Sequence, residues 1–181
     1  MKIEQTGIAD LLLIQPQVFG DARGYFLESW NKQKFADAGL DIDFDQDNQS
    51  LSQKGVLRGL HFQKPPYEQG KLVRVIKGAV LDVAVDLRKS SQTYGKHFAA
   101  ELTEENKTMM WIPPGFAHGF LTLEDNTVFA YKCQGLYAPD YELCIAWNDE
   151  TLSIDWGVEN PLLSAKDQKG LAFADYQTDF K

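Results

Sequence analysis

The feature that most constrains this chain is a succession of short β-branched, aromatic or alternating runs, punctuated at close intervals by turn formers. The runs are residues 56–62, 72–77, 80–87, 98–102, 109–113, 119–123, 128–133 and 144–147. Between them stand Lys77-Gly78, Tyr94-Gly95, Pro114-Gly115 and Asp125-Asn126. Segments this short are too brief for amphipathic helices but suit half-buried strands, and their regular spacing predicts a sandwich or barrel. Helix signals are sparse. Residues 31–38 predict one short helix, with Gly39 in the stop position, and residues 166–170 predict loop or a short helix. In 80–87, Leu81, Val83, Val85 and Leu87 share one face, while Asp82 and Asp86 share the other with Val80 and Ala84. That mixed face suits a second layer or a partner subunit.

Size and charge narrow the function. A chain of 181 residues fits one domain, 1–181, with enough material for a core that needs no staples. There is no repeat, linker or low-complexity stretch, and no apolar run approaches the ~18 residues of a membrane span. The first residues lack a signal-peptide pattern because Lys2, Glu4 and Asp10 interrupt them, so a cytoplasmic protein is expected. The net charge of -8 argues against nucleic acid or an anionic membrane as partner, while leaving room for a small anionic ligand held by a few arginines. Cys133 and Cys144 cannot form a disulfide framework or a zinc signature, and are expected to be reduced, half-buried strand residues.

Three histidines are present: His61, His97 and His118. His97 sits among polar residues and is expected to be exposed. His61 ends a strand-like run, and His118 closes Pro113-Pro114-Gly115-Phe116-Ala117-His118, which fits the Pro-x-Gly-x-x-His pattern of cupins. Taken singly, either histidine is more often structural than functional. In metal-binding cupins the first motif supplies His-x-His, then Glu and Gly; the corresponding positions here are His61, Gln63, Lys71 and Gly78. An ammonium in place of a carboxylate repels a divalent ion, and two of four ligands survive, so no metal and no cofactor are expected.

Several longer runs carry a resemblance. They are Val56-Leu57-Arg58-Gly59-Leu60-His61-Phe62-Gln63, Gln69-Gly70-Lys71-Leu72-Val73-Arg74-Val75, Asp82-Val83-Ala84-Val85-Asp86-Leu87-Arg88 and Trp111-Ile112-Pro113-Pro114-Gly115-Phe116-Ala117-His118-Gly119-Phe120. Shorter ones are Phe19-Gly20-Asp21-Ala22-Arg23-Gly24, Gln46-Asp47-Asn48, Tyr131-Lys132 and Leu163-Ser164-Ala165-Lys166-Asp167. In order and over most of the chain, they resemble the dTDP-4-dehydrorhamnose 3,5-epimerase family. The resemblance implies an all-β, cupin-type jelly-roll double-sheet barrel with short peripheral helices, acting as a homodimer. It also implies a dTDP-4-keto-6-deoxysugar substrate, dTDP-4-dehydro-6-deoxy-D-glucose, inverted at the two carbons flanking the ketone in dTDP-L-rhamnose biosynthesis.

That chemistry explains the residue types. A proton α to a ketone is less acidic than imidazolium by about 12 pK units, so unaided transfer to His would cost about 16 kcal/mol. A positioned base and a stabiliser for the enolate oxygen are both needed. The resemblance makes His61 the base and Asp167 its carboxylate partner. Lys71, which shares a strand face with Val73 and Val75, is the enolate stabiliser, and Tyr131, sharing a face with Phe129 and Cys133, is the acid on the opposite side. Arg23 and Arg58 are expected on the diphosphate. Phe26 and Tyr137 are expected to stack on base or sugar. Glu28, Gln46, Asn48, His118, Glu142 and Lys166 match other ligand-lining positions, and the stretch from Arg23 to Glu28 is expected to reach a partner's site.

Gln49 and Gln134-Gly135-Leu136 depart from the family's usual residues at positions bearing on sugar and nucleotide specificity. Alternatives to the double epimerase are a single-site epimerase of another deoxysugar, a non-catalytic nucleotide-sugar-binding cupin, and a metal-dependent cupin oxygenase or isomerase.

Overall fold

A computed structural model describes residues Met1–Lys181. The predicted strands are present with ends shifted by a few residues: β6 (Leu57–Gln63), β7 (Gly70–Lys77), β8 (Ala79–Asp86), β9 (His97–Thr103), β10 (Met109–Ile112), β11 (Phe116–Thr122), β12 (Thr127–Gln134) and β13 (Glu142–Cys144). Five more precede them: β1 (Lys2–Gln5), β2 (Leu12–Gln15), β3 (Val18–Asp21), β4 (Gly24–Leu27) and β5 (Gln46–Ser52). Their sequences did not predict them: β1 and β5 are polar edge strands, β3 and β4 form an exposed hairpin, and β2 is an apolar stretch of only four residues. The last predicted strand, 144–147, is displaced: pairing with β6 ends at Cys144, and Ile145 bridges to Leu171.

Two sheets form the barrel, β1-β2-β10-β7-β12-β5 and β13-β6-β11-β8-β9, every neighbouring pair antiparallel. Val73, Val75, Met110, Ile112 and Phe129 of the first meet Val80, Ala84, Leu102, Phe116 and Phe120 of the second. The outer faces are covered as well. Leu12, Leu72, Met109 and Trp111 pack under Phe35 and Ile42, and Phe62, Val83, Val85, Leu87 and Leu121 pack under Leu152, Trp156, Phe173, Tyr176 and Phe180 of the C-terminal segment. Both faces of β8 are therefore buried. The second layer expected beside Asp82 and Asp86 is the opposing sheet, and the C-terminal segment covers the all-apolar face.

The predicted helix forms as α1 (Lys32–Asp37), its N-terminus closed by Asn31, whose side chain accepts from the Lys34 amide. Residues near the C-terminus form two 3-10 turns, Asp167–Lys169, where the loop or short helix is expected, and Phe173–Asp175. Both cysteines are more deeply buried than expected, and His97 is half-buried on an edge strand, not exposed.

Within the five-stranded sheet, β6 and β11 approach closely where their pairing is irregular, between His118 and Phe120. A Cβ on Gly59, whose φ is +131°, would lie 2.5 Å from Gly119 Cα and 2.8 Å from the His118 carbonyl oxygen. Only glycine supplies both that backbone conformation and that approach. The register there sets His61 directly opposite His118.

Candidate active site

One cavity between the two sheets collects most of the chemically competent side chains. From the five-stranded sheet come His61 on β6, His118 on β11 and Glu142 on β13; from the six-stranded sheet come Lys71 on β7, Tyr131 and Cys133 on β12, and Gln46 and Asn48 on β5. The alternation of each strand aims these polar residues inward among the apolar ones. His61 and Tyr131 thus face one space from opposite walls.

His61 Nε2 lies 2.6 Å from Asp167 Oδ1. The Ser164 hydroxyl donates to the other oxygen, Oδ2, at 2.7 Å. Burial of Asp167 pushes its pKa up, but these hydrogen bonds outweigh it and hold the carboxyl below its ordinary value. An ionised carboxylate only accepts, so His61 donates through Nε2, and in the neutral ring the lone pair is then on Nδ1. Asp167 is only 3% exposed, so the dyad is held from behind while the imidazole borders the cavity.

Lys71 retains some accessible surface because it lines the cavity, yet its ammonium is surrounded by protein. Burial pushes its pKa down, opposed by the neighbouring Cys133, Glu142 and Asp82. Its Nζ lies 6.0 Å from the Tyr131 ring centroid. Burial, with Cys133 nearby, pushes the Tyr131 phenol up, which keeps it a proton donor at neutral pH. His118 Nε2 approaches the two oxygens of Asp82 at 3.0 and 3.1 Å. Burial nevertheless dominates and lowers the His118 pKa, favouring a neutral ring. Its partner is thus a carboxylate on β8.

The comparisons with known proteins follow the same lines. The family model described as dTDP-4-dehydrorhamnose 3,5-epimerase matches residues 5–175. The chain belongs to that family. Its relatives include the dTDP-4-dehydrorhamnose 3,5-epimerases of Shigella flexneri and Pseudomonas aeruginosa, each 52% identical with 97% of both chains covered. Among solved structures, the dTDP-6-deoxy-D-glucose-3,5-epimerase of Legionella pneumophila in complex with dTDP-4-keto-L-rhamnose is 45% identical with a TM-score of 0.93, covering 97% of this chain and 94% of that one. The epimerase is therefore an isomerase on a cupin-type double-sheet fold.

Not every expected residue reaches this epimerase's cavity. Arg58 stands beside it, donating from Nε and a terminal guanidinium nitrogen to Ser52 Oγ at 3.2 Å. Lys166 joins through an ion pair with Glu142, whose Oε2 also accepts from the Tyr137 hydroxyl at 2.7 Å. Arg23 and Phe26 lie on the β3–β4 hairpin, outside the cavity wall of their own chain, and Glu28 pairs with Lys34 at 2.9 Å. Sequence reasoning missed Asp82 as the partner of His118 and Gln69 as a lining residue. For Asp82 a signal existed, since it shares the inward face of β8 with Ala84, the register partner of His118.

The cupin metal positions do not fit a resident divalent ion. Gln63 uses its amide nitrogen on the carbonyls of Tyr67 and Leu136 and its amide oxygen on the Ala138 N–H. Lys71 puts an ammonium into the same cavity, and His61 Nε2 is committed to Asp167. His61, Cys144 and Asp167 bring one potential ligand atom each to within 4.8 Å of one another. However, burial, with Asp167 nearby, pushes the Cys144 thiol up to about 12, leaving a neutral thiol beside a satisfied dyad.

Proposed function

We propose that this enzyme epimerises dTDP-4-dehydro-6-deoxy-D-glucose at carbons 3 and 5, giving dTDP-4-dehydro-L-rhamnose. The observation that carries the reading is the His61–Asp167 dyad on one wall of a cavity whose opposite wall holds Lys71 and Tyr131. His61 Nδ1 takes the proton α to the ketone, and Asp167 stabilises the imidazolium that forms. The C–H electron pair moves into an enolate whose oxygen faces the Lys71 ammonium, an interaction strengthened by the low dielectric. Tyr131 then delivers its phenolic proton to the same carbon from the other face. Inversion needs this second group, since a single base returning its own proton only exchanges the hydrogen.

His118, Gln46, Asn48 and Tyr137 shape the sugar and nucleotide end of the site, with Glu142 holding Lys166 and Tyr137. Arg58 and Lys166 supply cations for the diphosphate. Arg23, Phe26 and Glu28 serve a second copy of the chain in a homodimer. This is supported by the hairpin that carries the first two, which pairs only with itself and leaves Phe19, Tyr25 and Phe26 more than half exposed, at 59%, 59% and 66%. No helix is long and apolar enough to cross a membrane, and the substrate is a cytoplasmic nucleotide sugar in this reading.

The test is product analysis with dTDP-4-dehydro-6-deoxy-D-glucose in heavy water. Deuterium at both carbons flanking the ketone, with an L-rhamno product, is expected. Deuterium at one carbon alone would assign a single-site epimerase, and binding without exchange would assign a non-catalytic sugar-binding protein.

A further inference from the structure

The turn that carries Tyr137 is held almost entirely by side chains. Gly135, in the left-handed region at φ +81°, starts it. Its N–H donates to Asp45 Oδ2 at 2.8 Å, and its carbonyl accepts from Gln69 Nε2 at 2.8 Å. The Leu136 carbonyl accepts from Gln63 Nε2 at 3.1 Å, and the Ala138 N–H donates to Gln63 Oε1 at 2.7 Å. Between them, the Tyr137 N–H donates to Gln46 Oε1 at 3.3 Å.

Gln63 holds the centre of this arrangement. It is 4% exposed and borders the catalytic cavity, and its third bond, Nε2 to the Tyr67 carbonyl at 2.6 Å, commits both of its N–H donors to backbone while Oε1 accepts from Ala138. A buried amide satisfied by three backbone groups from two loops restrains those loops, because releasing either exposes an unpaired polar atom. Directly across the β6–β13 pairing stands Glu142, which takes the Tyr137 hydroxyl. One rung of the sheet therefore grips both the backbone and the side-chain tip of the Tyr137 turn.

We infer that Gln63, supported by Gln69, is a positioning residue that acts through Tyr137, fixing the Leu136–Ala138 turn so that the phenol ring stands ready at the mouth of the site before the nucleotide sugar arrives. This rests on the reading of Tyr137 as a ligand-lining residue. A loop set in advance does not lose its ordering entropy on binding, so releasing it weakens ground state and transition state alike. The signature is a raised KM with kcat kept.

The experiment compares Gln63→Met, which keeps the bulk and removes the amide, with Gln69→Met, Tyr137→Ala and the double variant Gln63→Met/Tyr137→Ala. KM and kcat are measured with the keto sugar, and the Kd of dTDP by calorimetry. Gln63→Met is expected to raise both KM and Kd about tenfold with kcat within about twofold, and Gln69→Met to raise them about threefold. In the Tyr137→Ala background, Gln63→Met is expected to add less than about twofold, because residues acting through one element are not additive.

An unchanged KM in both glutamine variants overturns the inference, as does a fall in kcat alone or a full additional effect on top of Tyr137→Ala. Should Gln63→Met not fold, Gln69→Met and its combination with Tyr137→Ala decide by the same criteria. The two readings fail differently. If Tyr137→Ala leaves KM and Kd unchanged, Tyr137 has no ligand role and the inference falls with it. If Tyr137→Ala weakens binding while the glutamine variants do not, only the inference falls.

Discussion

His61 Nε2 and Asp167 Oδ1 lie 2.6 Å apart although the residues are separated by 106 positions in the chain. That contact commits one ring nitrogen and leaves Nδ1 as the basic atom of the site. His61→Ala is expected to abolish deuterium exchange at the carbons flanking the ketone, a loss of at least about 10²-fold read by NMR in heavy water. Normal exchange in this variant would remove His61 from its role as base.

Asp167 has a depressed pKa, so the sign of its pH effect is fixed. Its carboxylate stabilises the native state fully above the unfolded value near ~3.9, and that stabilisation is lost as pH falls through the folded value. Asp167→Asn is expected to unfold at lower urea concentration than the parent at pH 7, with the difference narrowing below about pH 4. Exchange should also fall, since an amide can stabilise the wrong tautomer and cannot support the imidazolium. A urea difference that stays constant down to pH 3 would contradict this account.

Tyr131 faces His61 across the cavity, so removing its hydroxyl separates two events. Tyr131→Phe is expected to keep exchange from the His61 side while losing complete inversion, seen as deuterium entering recovered substrate faster than product forms. Equal rates of both, at the parent level, would deny Tyr131 the acid role.

Lys71 is an ammonium held where burial opposes its charge. The cost of charging it is present below its lowered folded value and is relieved as pH rises through that value toward the unfolded ~10.4. Lys71→Met should therefore stabilise the protein by on the order of 1 kcal/mol, about 2–4 °C in melting temperature, while reducing exchange at least about 10²-fold. A variant both less stable and fully active would refute the assignment.

Gln63 is bonded to backbone and Lys71 is cationic, so the cupin metal positions lack a ligand set. Epimerase activity is expected to survive exhaustive chelation within about twofold of the untreated enzyme, a mild outcome that a required divalent ion does not allow. Loss of activity restored by added metal would reinstate the metal-dependent alternative.

Much of this was legible in the amino-acid order alone. Short alternating runs specify strands because side-chain direction has period 2, and the inward face of Lys71, Val73 and Val75, like that of Phe129, Tyr131 and Cys133, followed from that period. The motif runs made the family recognisable and with it His61, Lys71 and Tyr131. Tertiary structure alone decided what depends on contacts between distant segments. Apart from the family resemblance, which named it, Asp167 is an ordinary acidic residue until the C-terminal turn carries it behind β6; Asp82 shows no partner until β8 is placed beside β11; Gln63 occupies a metal-ligand position until two loops close on its amide. Polar edge strands and the exposed hairpin escaped the sequence for a related reason: backbone pairing stabilises them without an apolar period to announce it.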